Sequence, residues 1–256
     1  MGVGTEPDPI SEAHEEIRGQ MSFLDHLEEL RRRILHALIA VGVSFVICWE
    51  FSDRLFTIVA RPIISTIGEL NFMTPTEPFN LLVKISLVAA LFLSAPFIMA
   101  QVWLFIAPGL YKRERRYALP FIISSSLLFV VGGLFGYFVA FPFAVRFLIS
   151  FGQNLKMKPV INAAEYFDLM LTVELALGII FEIPALIFVL SRIGLVSGGF
   201  LLRNTKYAVL LSAVVAAIIT PTSDIPNMMI IMVPMLMLYL LGVVVAFIFG
   251  KKRKED

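Results

Sequence analysis

Cysteine is all but missing from this chain. Cys48 stands alone among 256 residues, so no intramolecular disulfide can form and no redox compartment can be read from thiol content. Histidine is nearly as scarce. His14, His26 and His36 all lie at or before the start of the first long apolar run, which rules out a dispersed histidine metal cluster. HExxH, GxSxG and a phosphate-cradling glycine loop are absent. An intramembrane protease working through an unmarked Ser or Asp would need its acid within the bilayer, whereas Asp168 and Asp224 fall near segment ends. The chain is therefore read as a non-enzyme, without cofactor or metal. Charge is thin as well: Asp, Glu, Lys and Arg make up 16% of residues, against about a quarter in soluble domains.

What fills the space is apolar. Hydrophobic residues account for 58% of the sequence and mean hydropathy is +0.86, the composition of a polytopic membrane protein. Six apolar segments follow one another: Ile34 to Trp49, Leu81 to Ala107, Leu119 to Phe141 closed by Pro142, Tyr166 to Leu190, Tyr207 to Ile219 stopped by Pro221, and Met228 to Phe249 interrupted by Pro234. A helix needs roughly 20 residues to cross a ~30 Å hydrocarbon core. The fifth segment is too short for that. Either it extends through Arg203 and Lys206, whose long side chains can snorkel, or the bilayer thins beside it; a mixture of both is expected.

Residues 1–20 are polar and acidic with no short apolar core, so they read as a disordered cytoplasmic extension rather than a signal peptide. Residues 21–250 form the membrane domain and 251–256 a basic tail. With the N-terminus inside and six spans, fifteen of the 21 Lys and Arg fall on the inner side. The positive-inside rule then places both termini in the cytoplasm. No Arg- and Ser-rich transit segment precedes Met21, which points to a bacterial plasma membrane.

Several local features stand out against this apolar background. Ser22 and Asp25 have capping-box spacing, which predicts a helix from Phe23. On that helix Phe23, Leu27, Leu30 and Ile34 form an apolar stripe, with His26, Glu29 and Arg33 on its border and Glu28 turned away. The helix is expected to lie along the interface and feed into the first span. Glu29 and Arg33 can simply pair at i,i+4 on a solvated face, worth a few tenths of a kcal/mol. Alternatively, Glu29 is a carboxylate displayed at the membrane surface. Between spans two and three, FIAPGLYKRERR sets Glu114 among four cations. It either neutralises them or forms a second such carboxylate. Two carboxylates could each grip one guanidinium, because the two groups match as bidentate forks.

Glu182, in FEIPALIF, is the most expensive residue in the membrane, at about 2.5 kcal/mol or more. Pro184 frees a backbone carbonyl nearby, so a local polar pocket is expected. Its alternative is a neutral, hydrogen-bonded acid that packs helices. Glu174 lies about 80° around the helix and nearer the outer surface, where it costs less. Asp224 in TPTSD reads first as a helix cap. Arg61-Pro62 and TPTEPF, Thr74 to Phe79, suggest an ordered outer cap. Gly132 and Gly136 form a GxxxG that allows close helix approach.

Taken together, HLEELRRR, LSAPFIMAQVWLFIAPGLYKRERR, SSSLLFVVGGLFGYFVAFP, FEIPALIF and IITPTSD resemble the TatC family of the twin-arginine protein translocase. The resemblance runs from about Met21 to Gly250. It implies an all-α membrane protein that receives folded proteins bearing twin-arginine signal peptides. It also implies assembly with TatA- and TatB-type single-span partners in an oligomeric complex, and transport driven by the proton-motive force. No nucleic-acid partner is implied, and membrane lipid surrounds the chain. By resemblance, Glu29, Glu114, Phe105, Arg31 and Arg33 form the signal-peptide site. Glu182 contacts a partner helix, and Pro62 and Asp224 are functional outer-loop positions. A common family form puts the aspartate one residue nearer the proline than TPTSD does, so Asp224 departs from the pattern. The competing reading is a proton-coupled small-solute transporter built around Glu182, although no internal repeat of the kind such carriers show is visible.

Overall fold

In the computed structural model, residues 23–67, 70–107, 118–154, 161–220 and 224–250 are described. The acidic extension, the loop carrying Glu114 and the basic tail lie outside them.

The helix expected from Phe23 is present, α1 running Phe23–Glu50 without a break, while Ser22, its expected cap, lies outside the described residues. At 1.5 Å per residue it is about 42 Å long. The expected interfacial helix is thus not a separate element but the first turns of the first span, because no Gly or Pro interrupts the sequence between them. An exposed bend at Phe51 leads to α2, Ser52–Ile67. The ordered cap expected around TPTEPF is present. Glu77 closes the TPTEP turn by accepting from the Met73 and Thr74 amides at 3.0 and 3.2 Å. The Ala163 amide donates to the Asn71 carbonyl at 2.8 Å, part of an isolated bridge between Asn71 and Asn162.

The second span is α3, Glu77–Ile106, which absorbs Pro96 without a break. It runs antiparallel to α1 and is that helix's main neighbour. Trp49 meets Phe79 edge-on at 5.8 Å at one end of the pair, and His26 stacks on Phe105 at 4.5 Å at the other.

The third span corrects the sequence reading. α4, Ala118–Phe135, does not stop at Pro142 but passes through a π-turn, Gly136–Ala140, into α5, Phe141–Asn154. Proline clashes with the carbonyl four residues back in a regular helix. Here the Phe141 amide reaches back five residues to the Gly136 carbonyl, and the wider turn admits the ring.

The fourth span breaks in the middle, giving α6, Ala163–Phe181, and α7, Ile183–Ile193, with Glu182 at the junction and Pro184 in the first turn of α7. After Gly194, in the left-handed conformation at φ 89°, come the short α8, Gly198–Arg203, and then α9, Thr205–Ile219. The fifth span does not extend through Arg203. Asn204 leaves helical geometry and the chain turns there, so α9 spans only about 22 Å by its rise. The last span, α10, Ile225–Phe249, tolerates Pro234 inside it.

Among the described residues five helical runs are long and apolar enough to cross a membrane, and α9 is a shorter sixth. Their packing centres on α6, whose Phe167, Met170 and Leu177 are fully buried with Phe141 and Ile63. The glycine pair works as expected. A Cβ on Gly132 would lie 2.5 Å from the Leu177 carbonyl, and one on Gly136 3.1 Å from the Glu174 Cα. The backbones of α4 and α6 touch there, and dispersion between closely fitted surfaces holds helices together where lipid competes for apolar contact. By contrast α1 is mostly uncovered, with Leu38, Ile39, Val43 and Val46 all exposed.

Candidate functional site

The antiparallel pairing of α1 and α3 assembles a polar cluster at one end of the molecule. Arg33 donates from Nη2 to Glu29 Oε1 at 3.1 Å and from Nη1 to Gln101 Oε1 at 3.5 Å. The i,i+4 pair is therefore real, yet it does not sit on a solvated face: the Glu29 and Arg33 side chains are 11% and 20% exposed. They lie against α3, where Gln101 is buried. His26 covers Phe105 one turn further out. Glu28, Arg31 and Arg32 are exposed, as the helical phase requires. The geometry thus brings Glu29, Arg33 and Phe105 together and leaves Arg31 out, pointing to solvent or headgroups. Glu114 lies outside the described residues.

The sequence reading missed one member of this cluster and gave a second no partner. Gln101 was detectable as the lone amide in the apolar string LSAPFIMAQVWLF. His26 had been placed on the stripe border without a partner.

Within the membrane, Glu182 caps the broken fourth span. Its Oε2 accepts a short hydrogen bond from Ser125 Oγ of α4. Its Oε1 is buried with no hydrogen-bond partner among the described residues. The polar pocket expected near Pro184 is thus a carboxyl–hydroxyl contact between two spans, half satisfied. Beside it α4, α7 and α10 leave an apolar groove of about 330 Å³, lined by Phe121, Ser124, Pro184, Phe188 and Leu241 among others. Glu174 differs from expectation. It lies on α6 two turns before Glu182, yet is only 8% exposed, tucked behind Gly136 where the π-turn lets the helices close.

At the opposite end from Glu29, Pro62 lies inside α2. Lacking an amide hydrogen, it leaves the Ile58 carbonyl, four residues back, without its helical donor. The Tyr137 hydroxyl supplies one at 2.7 Å and so ties α2 to the π-turn. Asp224 is the N-cap of α10. Its carboxylate accepts from the Asn227 amide at 2.9 Å and from the Asn227 Nδ2 at 2.8 Å. This is the capping role anticipated for it. Among the described residues no three His, Cys, Asp or Glu side chains gather to hold a metal.

A sequence profile described as Sec-independent protein translocase protein (TatC) matches residues 25–234. The chain belongs to the TatC family. A TatC protein of Koribacter versatilis is 47% identical over 249 residues, 95% of this chain and 91% of that one. One of Aquifex aeolicus is 34% identical, covering 92% and 98%. The crystal structure titled twin arginine translocase receptor TatC, in the detergent DDM, superposes with a TM-score of 0.78. It is 34% identical and covers 86% of this chain and 99% of that one. The fold is thus the TatC fold, an all-α arrangement of six spans in a multi-pass membrane protein. The TatC match also favours a translocase component over a solute carrier.

Proposed function

We propose that this TatC chain is the receptor for twin-arginine signal peptides in Sec-independent export of folded proteins, and the platform on which TatA- and TatB-type helices assemble. The observation that carries the proposal is the Glu29–Arg33–Gln101 cluster with His26 on Phe105. A carboxylate is held at one membrane face, already engaged by a guanidinium. An incoming arginine can replace Arg33 on Glu29, exchanging a single charge-assisted hydrogen bond for a bidentate fork with no new buried charge. Glu114 is the second carboxylate of the site, and Arg31 contacts the surroundings of the bound peptide. In this reading both termini and the cluster face the cytoplasm of a bacterial plasma membrane. The peptide's apolar stretch packs between spans.

Glu182 serves a different partner. Its unpartnered oxygen in the bilayer offers a hydrogen bond to a polar group on a single transmembrane helix. A donor there recovers what the buried oxygen lacks. Pro62 and Asp224 act on the outer side by fixing the cap and the last turn. The chain itself catalyses no covalent step; the proton-motive force drives transport.

Photo-crosslinking tests both assignments. A probe beside the arginine pair of a precursor should lose its crosslink to membranes carrying Glu29→Ala plus Glu114→Ala. In Glu182→Ala membranes the crosslink should persist while copurification of the single-span partners falls. An undiminished crosslink in the double variant would remove the receptor site from these carboxylates.

A further inference from the structure

The outer cap contains a second polar feature that the translocase reading does not use. Arg61 and Pro62 of α2, Tyr137 of the π-turn, Pro142 and Arg146 of α5, and Tyr166 of α6 line a cavity of about 460 Å³. Among the described residues neither Arg61 nor Arg146 makes an ion pair or a hydrogen bond. No carboxylate lines the cavity. The Tyr137 hydroxyl proton is committed to Ile58, so it cannot serve the space. Two arginines from different helices, both exposed, thus line one concavity that holds no carboxylate among the described residues. An anion in that space would be attracted by both charges.

The surroundings indicate which anion. Phe138 lines the same cavity and is 67% exposed, and Val139 and Phe143 beside it are exposed as well. A charged pocket that opens along apolar, span-bearing helices suits a molecule that is anionic at one end and hydrocarbon at the other. Basic pockets between transmembrane helices bind lipid headgroups by this logic, with arginine forks on phosphate oxygens. We propose that this cavity is a binding site for one anionic phospholipid. Arg61 and Arg146 hold its phosphate, and an acyl chain lies over Phe138. The site is distinct from the Glu29 cluster and does not depend on that assignment.

Native mass spectrometry of the full-length, delipidated protein, offered equimolar phosphatidylglycerol and phosphatidylcholine, tests this. Both lipids carry a phosphate, so the two arginines discriminate on net headgroup charge, the choline cation being repelled, for a preference of roughly tenfold for the anionic lipid. Arg61→Gln plus Arg146→Gln should bring the two lipids to near parity, and Arg146→Gln alone should fall between. Arg54→Gln removes a charge from the same helix outside the cavity and should leave the preference intact. Phosphatidylglycerol should also raise the melting temperature of the wild type but not of the double variant. A double variant that keeps its preference overturns the site, as does an equal loss in Arg54→Gln. Displacement of the lipid by excess inorganic phosphate would make the free ion the occupant and overturn the lipid assignment.

Discussion

Pro62 shows how one residue without an amide hydrogen organises two helices. The carbonyl it releases on Ile58 is answered from another span by Tyr137, so cap and span are joined by a bond neither helix could make alone. Tyr137→Phe should therefore cost about 1 kcal/mol, since it leaves that carbonyl without a donor. In a Pro62→Ala background the new amide can satisfy Ile58 from within α2, and the same change should cost much less. A double-mutant cycle read by thermal denaturation in detergent measures this coupling. Strict additivity would disconnect the two residues. Glu29 carries a related lesson. Its pairing with Arg33 was legible from i,i+4 spacing, but its partial burial was not, because Gln101 arrives from a helix nearly seventy positions away.

Hydropathy marked the spans well because lipid imposes one rule on each. It marked their ends and interruptions less well. Pro142 looked terminal because proline ends most helices, and only the preceding π-turn makes it interior. Glu174 looked cheap because a helix apolar on every side gives no sign of which side meets protein. Its burial follows from Gly136, whose missing side chain lets the π-turn come close. The α4–α6 contact should be correspondingly intolerant of bulk. Gly132→Ala puts a methyl 2.5 Å from the Leu177 carbonyl, and relieving that clash should cost about 1–3 kcal/mol. Gly42→Ala, with nothing within 4 Å of the added carbon, serves as the comparison. Its melting temperature should stay at or slightly above the parent's, since alanine favours the helix. Equal effects at the two positions would show that the α4–α6 approach is not as tight as described.

For the whole molecule, the unequal span lengths matter most. α3 has 30 residues and α9 only 15, so a uniform hydrocarbon slab cannot match both. The bilayer must thin beside α9, or the long helices must tilt. Thermal stability in nanodiscs of phosphatidylcholine with graded acyl length should accordingly peak in chains thinner than those that best match α3. A monotonic rise with thickness would argue that α9 is shielded from lipid.

The π-turn at Gly136–Ala140 has a consequence of another kind. It works as an index mark on the third span, since one additional residue per turn rotates everything after it by about 100° relative to a regular helix. The faces of α4 and α5 are thus set independently. α4 is phased by Gly132 against α6, and α5 by Phe141 in the core and Arg146 at the cavity. Removing a single residue between positions 136 and 140 would leave composition and hydropathy almost untouched. It would nevertheless turn Phe141 out to lipid and swing Arg146 away from Arg61. Length in these five residues is fixed more tightly than their identity.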